Sequence, residues 1–391
     1  MFTDEALISF CRKAIQTPSF SGQERQMAEL MREKMLEFGF DEVIIDRFGS
    51  VLGTIRGSRP GKTILMDGHI DTVDVIDEAQ WTHGPFSGEI ADGKIYGRGA
   101  SDMKGSDCAM VMAAGRFAAQ TKKNFAGTIC VSGTVHEECF EGVAPREVTK
   151  RVKPDFVIVG EATSTSIKIG QRGRAEVVVE TEGVSCHSSN PEKGVNAVYG
   201  MMAVIEEIRK IVPNEHPLLG RGILELTDIV SAPYPGASVV PAACRATFDR
   251  RTLVGEDEAV ILGQVEEAIV RAQEKHPEIK ARCYLATGTE ACWTGDTISA
   301  KRYFPAWVVD ESSELVVKAR RGLEAAGIDA PLSHFSFCTN GSHFCGEAGI
   351  PTIGYGPSLE SLAHVRDEYI EISQLTKACR GFASILAELT R

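Results

Sequence analysis

Short apolar runs, each followed closely by metal-capable side chains, constrain this chain more than any other feature. Thr63-Ile-Leu-Met66 leads into His69 and Asp71, and Thr128-Ile-Cys-Val131 leads into Glu137 and Glu138. Phe156-Val-Ile-Val159 leads into Glu161, and Thr352-Ile353, inside a glycine-rich run over 350–356, leads into His364. Runs of this length read as strands buried on both faces. Helical patterns between them, such as 109–119, predict an α/β fold with a mostly parallel sheet. In open α/β sheets ligands bind beyond the carboxyl ends of the strands. His69, Glu137, Glu138 and Glu161 all fall on that rim.

The remaining patterns divide the chain. Near the start, Ser21-Gly-Gln-Glu24 reads as a capping box, followed by Met27, Leu30, Met31, Met35 and Phe38 at helical spacing. After Gly170 the pattern changes to a strand over 174–181, a helix over 196–211, strands over 223–226 and 245–248, and a helix over 256–275. That last helix would turn Val260, Ile261, Val265, Ile269 and Val270 to its apolar side. Two β-α-β halves of this kind predict a small α+β sandwich inserted into the main domain. A length of 391 residues suits two domains. The expected division is 1–170 for the first part of the catalytic domain, 171–282 for the insertion and 283–391 for the second part.

A net charge of −12 argues against nucleic acid or an anionic membrane as partner. Residues 1–9 do not read as a secretory leader, and no apolar run approaches 18 residues. The eleven cysteines are scattered, with no C-x-x-C pair. Reduced thiols in the cytoplasm are therefore the expectation. Cys139, directly after Glu138, could touch the site but reads better as a small buried residue.

Two histidines with several carboxylates make the N/O ligand set that zinc, cobalt or manganese accepts. His69-x-Asp71 alone fits a structural histidine better than a ligand, although a carboxylate there could fix the orientation of a ligating imidazole. Asp102 lies in Gly97-Arg-Gly-Ala-Ser-Asp-Met-Lys-Gly105, before a predicted helix, where an N-cap would also explain it. Glu137-Glu138 is more specific. Adjacent side chains on a strand point to opposite faces, so both reach one site only if the chain turns. Two abutting buried carboxylates repel unless cations neutralise them. One carboxylate beyond the needs of two metals leaves a candidate general base, which points to a two-metal hydrolase.

Taken in order, these stretches resemble the co-catalytic metallopeptidase family of aminoacylase, carboxypeptidase G, acetylornithine deacetylase and succinyl-diaminopimelate desuccinylase. Within it the chain is most similar to a branch of hydrolases linked to selenium metabolism. The runs carrying that similarity are Gly183-Val-Ser-Cys-His-Ser188, Phe248-Asp-Arg-Arg251, Tyr303-Phe-Pro-Ala-Trp307 and Thr339-Asn-Gly341. The resemblance implies a zinc-exopeptidase-type catalytic domain and an inserted dimerisation or lid domain. It also implies a homodimer and two divalent ions per subunit, Zn2+ with Co2+ or Mn2+ as alternatives. By the same resemblance Asp102 would bridge both metals, His69 and Glu161 would complete one, and Glu138 and His364 the other. Asp71 would orient His69, and Glu137 would be the general base. His187 would reach the partner subunit's site, and Arg251 would receive a substrate carboxylate, with Arg172 as a second candidate. Asn340 and Ser238 would be substrate contacts. Ser238, in Ser238-Val-Val-Pro241, stands where relatives often carry a longer asparagine. Glu161 stands where some relatives carry aspartate, and glutamate there tends to accompany deacylases and carboxypeptidases.

The expected activity is hydrolysis of an N-acyl amino acid. The alternatives are a dipeptidase or carboxypeptidase, a ureido or amidino hydrolase, and a non-catalytic metal-binding protein. A non-catalytic protein would be expected to lose the base before the ligands, and Glu137 is present.

Overall fold

The computed structural model describes residues 2–391. The chain forms two compact units. One runs to Gln171 and includes Thr289–Ala300 and Trp307–Arg391, and the other comprises Arg172–Gly288 and Lys301–Ala306.

The first unit is built on a nine-stranded sheet among the described residues. In chain order its strands are β1 (Glu42–Ile45), β2 (Val51–Arg56), β3 (Arg59–His69), β4 (Ala126–Thr134), β5 (Phe156–Val159), β6 (Ile167–Gln171), β7 (Trp307–Val308), β8 (Leu332–Phe335) and β9 (Thr352–Gly354). The spatial order is β1-β2-β4-β3-β5-β9-β6-β7, with β8 paired to β6. The central pairs β4–β3, β3–β5 and β5–β9 are parallel. The pairs β1–β2, β2–β4, β9–β6 and β6–β7 are antiparallel.

Residues of the central strands are apolar on both faces because both faces are covered. Ile64, Leu65 and Met66 of β3 are fully buried. Leu65 joins Cys130, Val157, Val159, Val148 and Phe344 in one cluster. Helices Gly105–Thr121 and Ile372–Leu389 pack against each other and against β3. Register then sets the site. His69 lies opposite Thr134 of β4, and Asp67 lies opposite Val159 of β5. The segments bearing His69, Glu137 and Glu161 therefore leave the sheet within a few residues of one level.

The second unit carries a sheet of strands Gly173–Glu182, Ile223–Ala232, Ala243–Thr252, Lys280–Leu285 and Tyr303–Phe304. Helices Ala197–Ile208 and Glu258–Lys275 supply Val204, Ile208, Ile261, Val265 and Ile269 to its core. The structure corrects three sequence expectations. Residue 283 falls inside strand Lys280–Leu285, which pairs with Gly173–Glu182 and so belongs to this unit. Val260 and Val270 are exposed, at 41% and 51%, so the buried stripe of their helix is narrower than the apolar pattern. The capping box does not form. Helix Arg25–Glu37 has Glu24 as its N-cap without a side-chain cap bond, and the Ser21 hydroxyl donates to Asp71 Oδ2 at 2.7 Å instead.

Close backbone approach fixes one glycine at the rim. A Cβ on Gly356, just past β9, would lie 2.3 Å from the carbonyl oxygens of both Gly160 and Glu161. Gly356→Ala is expected to cost about 1–3 kcal/mol through overpacking against main chain. Gly263→Ala, on helix Glu258–Lys275 where an added Cβ meets nothing within 4 Å, is expected to stabilise by about 0.4–1 kcal/mol. Urea denaturation of both variants reads the two opposite signs.

Candidate metal centre

Asp102 occupies the middle of the rim. Its Oδ1 lies 2.9 Å from His69 Nε2, and its Oδ2 lies 3.2 Å from His364 Nε2. Each oxygen thus faces a different imidazole. Glu161 Oε1 is 3.5 Å from His69 Nε2, and Glu138 Oε2 is 3.0 Å from His364 Nε2. Candidate ligand atoms of His69, Glu137 and Glu161 lie within 4.8 Å of one another, as do those of His69, Asp102 and Glu138.

His69 is buried at the end of β3, and its Nδ1 lies 2.9 Å from the Asp71 carbonyl oxygen. A carbonyl only accepts, so Nδ1 carries a hydrogen, and a metal at the Asp102 side would take the place of the proton that Nε2 gives to Asp102 Oδ1. The Asp71 carboxylate is farther from Nδ1, at 3.6 Å. Its main work is elsewhere: Oδ1 accepts from Glu137 N–H at 3.1 Å and Oδ2 from Glu138 N–H at 3.2 Å. Those bonds hold the turn after β4 that brings both glutamates to one site. The preceding residue, His136, has φ +57°, a left-handed conformation.

Electrostatics test whether this set fits cations. Burial pushes the Glu137 carboxyl well above its usual range, with Glu161 and Glu138 adding repulsion against the favourable charge of His69. Burial, with the Asp102 charge, raises Glu138 and lifts Glu161 to about 8. Hydrogen bonds with Asp102 and Glu138 raise His364 to about 10. Asp102 is buried too, yet its bonds to the two histidines outweigh burial and hold it low. In addition, Oε1 of Glu137 and Oε1 of Glu138 are buried without a protein partner. Acceptor atoms packed this closely require shared protons or shared cations. His69, Asp102, Glu138, Glu161 and His364 fit two divalent ions in donor type and in spacing.

An open cavity of about 1000 Å3 adjoins the cluster, lined by Glu138, Cys139, His364, Phe20, Thr72 and Arg98 among others. Cys139 lines this cavity and is half-buried, so it is not the small buried residue expected. Asn340 is also corrected. It is 2% exposed, its Nδ2 donates to Asp67 Oδ2 and Thr134 Oγ1 at 2.9 Å each, and its Oδ1 accepts from Gly142 N–H. Both Nδ2 hydrogens are spent beneath the rim, and the oxygen that accepts from Gly142 is buried with the rest of the side chain. The other four candidates lie in the second unit. Arg251 Nε donates to Asp249 Oδ1 at 2.7 Å, and Arg172 Nη1 donates to the Arg221 carbonyl. Ser238 is exposed with φ +56°. His187 is exposed, and its Nδ1 lies 3.1 Å from Ser189 N–H and 2.8 Å from Ser189 Oγ.

Sequence reasoning missed Ser21, whose hydroxyl binds Asp71 across about fifty residues of chain. It also missed Glu368, whose carboxylate binds the Asp102 loop. Neither lies in a pattern that periodicity or ligand spacing could have marked.

The model of peptidase family M20/M25/M40 matches residues 65–388, and the chain belongs to that family. It is 33% identical over 381 residues to the uncharacterized protein YgeY of Escherichia coli strain K12, covering 96% of this chain and 92% of that protein. It is 28% identical over 376 residues to succinyl-diaminopimelate desuccinylase of Cereibacter sphaeroides strain ATCC 17025, covering 92% and 93%. The Bacillus subtilis YxeP protein, a dinuclear metal-binding peptidase of family M20, shares the fold with a TM-score of 0.73 at 13% identity, covering 99% of each chain. The chain is thus a metal-dependent hydrolase of a dinuclear family, with a candidate site for the metals at the Asp102 rim.

Asp71→Asn would set an amide N–H2 against one of the Glu137 and Glu138 N–H groups and leave an oxygen for only the other. Metal affinity is expected to fall by about 10–100-fold, the usual scale when a group supporting ligands is lost. Ser21→Ala leaves both N–H bonds of Asp71 in place and should cost far less. Equilibrium dialysis with zinc measures both.

Proposed function

We propose that the protein hydrolyses the amide bond of a small N-acyl amino acid. The observation that carries this reading is the Asp102 carboxylate, with one oxygen on each histidine, together with Glu137, grouped with His69 and Glu161 and holding an unpartnered buried oxygen. Likeness to a desuccinylase over almost the whole chain favours an acyl group over a second amino acid, as does glutamate at 161. His69, Asp102 and Glu161 would hold one ion, and Asp102, Glu138 and His364 the other. When bound, two divalent ions supply polarisation of the amide carbonyl and lower the pKa of the attacking water. Glu137 takes a proton from that water as oxygen adds to the carbonyl carbon, then delivers it to the nitrogen as the C–N bond breaks. The products are a carboxylic acid and a free amine. Arg251 is the proposed carboxylate clamp, since a guanidinium offers two parallel N–H donors; Arg172 is the second candidate. Ser238 is proposed as a shorter substrate donor.

A homodimer is part of this reading. Strand Ile223–Ala232 forms an open edge of its sheet and exposes Ile229 and Val230 at 48% and 43%, and helix Ala197–Ile208 exposes Tyr199 and Met202 at 70% and 53%. Open edges and apolar side chains of this kind favour pairing with another chain. His187 is the proposed donor to the partner subunit's developing oxyanion. Its Nδ1 accepts from a backbone N–H, so the neutral ring carries its hydrogen on Nε2, the form that donates.

Zinc is the proposed metal, with cobalt or manganese as substitutes, and the cytoplasm the proposed compartment. No helix among the described residues is long and apolar enough to cross a membrane. A dipeptidase or carboxypeptidase is the second reading, favoured by the likeness in fold to a family peptidase.

A screen of N-acyl amino acids and dipeptides against the zinc, cobalt and manganese forms separates these readings by product, acyl acid and amine against two amino acids. Glu137→Gln is expected to retain the metals and lower turnover by at least about 100-fold, whereas Glu138→Gln should weaken metal binding. Normal turnover by Glu137→Gln would reverse the assignment. His187→Ala should lose about 10²–10³ in rate with metal content unchanged. Mixing it with excess Glu137→Gln should restore activity in verified mixed dimers, and no recovery there would reject the shared site.

A further inference from the structure

His364 is the least supported of the proposed ligands. Its side chain is 52% exposed, against 1% for His69. It sits in a loop between the short turn Glu360–Leu362 and strand Tyr369–Glu371, with φ +62°, and Asp367 in the same loop has φ +53°. A left-handed non-glycine residue is strained and persists only where its surroundings over-determine it. What holds this loop is the segment that carries Asp102.

Glu368 makes that connection. Its fully buried carboxylate accepts four N–H groups, all from residues 98–102. Oε1 takes Ser101 N–H at 2.8 Å and Asp102 N–H at 3.0 Å. Oε2 takes Arg98 Nη1 at 2.7 Å and Gly99 N–H at 3.1 Å. The bonds also run at the main-chain level. Gly97 N–H donates to the Glu368 carbonyl at 2.8 Å, and Arg98 Nη1 donates to the Val365 carbonyl, next to His364, at 3.3 Å. Four donors need an acceptor with two oxygens and no hydrogen, which a carboxylate is and a carboxamide is not.

We propose that Glu368 is a positioning residue. It locks the Asp102 and His364 loops together and so sets the affinity of the metal position that includes His364. The inference rests on the dinuclear reading of the site. His69 and Glu161 depend on it less, because they follow the paired strands β3 and β5 and His69 is fixed by the Asp71 carbonyl.

The test is calorimetric titration of chelator-stripped protein with zinc, which reads binding without turnover. Wild type should take up two ions per subunit in resolvable steps, and His364→Ala should identify the step that requires His364. Glu368→Gln should weaken that same step by about 10–100-fold, weaken the other, which shares Asp102, by clearly less, and preserve the circular dichroism of the stripped protein. A purely structural ion pair would not single out one step, so equal weakening of both steps, or of neither, overturns the proposal. If Glu368→Gln does not fold, Arg98→Lys decides. It keeps the charge but not the guanidinium that reaches both Glu368 and the Val365 carbonyl, so the same step should weaken, and an unchanged isotherm overturns the proposal. One ion or none in the wild type overturns the dinuclear reading itself, and the inference with it.

Discussion

Carboxylates buried side by side repel each other and resist ionisation unless cations or protons are shared among them. The rim of the large sheet places Glu138 and Glu161 near Asp102 and Glu137 near Glu161, then sets two imidazoles against that aspartate. Asp102 alone of the four is held low, because both of its oxygens meet histidine. The rest of the site follows from this one carboxylate. It divides the cluster into a His69 side and a His364 side, and it leaves Glu137 as the carboxylate without a histidine of its own.

The fold holds that charge arrangement by two different means. On the His69 side the support is the sheet, since parallel strands in register end together and the segments that follow leave at one level. On the His364 side only Glu138 closely follows a strand end, and buried hydrogen bonding supplies the rest. Asp71 accepts the two amides of the Glu137–Glu138 turn, and Glu368 accepts the amides of the Asp102 loop. In both cases a carboxylate receives backbone N–H groups, an interaction stronger than a neutral pair and restrictive in direction. Asn340, bonded to Asp67, Thr134 and Gly142, steadies the layer beneath.

The central strands were legible because runs such as Phe156-Val-Ile-Val159 are apolar at every position, the mark of burial on both faces. The turn at Glu137-Glu138 was legible because two adjacent glutamates can share a site only if the chain bends. Local patterns misled where a distant group competed for the same side chain. Ser21 has the spacing of a helix cap, yet its hydroxyl goes to Asp71. Val260 and Val270 have the spacing of a core face, yet they lie beyond the arc that the neighbouring sheet covers. Asn340 read as a substrate contact and is instead consumed by internal bonds.

The sequence by itself determined the parallel α/β frame, the residue types gathered at its rim and the family to which the chain resembles most, because alternation of apolar runs and donor chemistry are local properties. The tertiary structure decided which oxygen faces which imidazole, that Asp71 serves the glutamate turn more closely than the histidine ring, and that Glu368 joins two loops more than 260 residues apart in the chain. These are matters of direction and distance between remote segments. Hydrogen bonds of about 3 Å depend on the packed backbone that aims them, and no spacing along the chain encodes that aim.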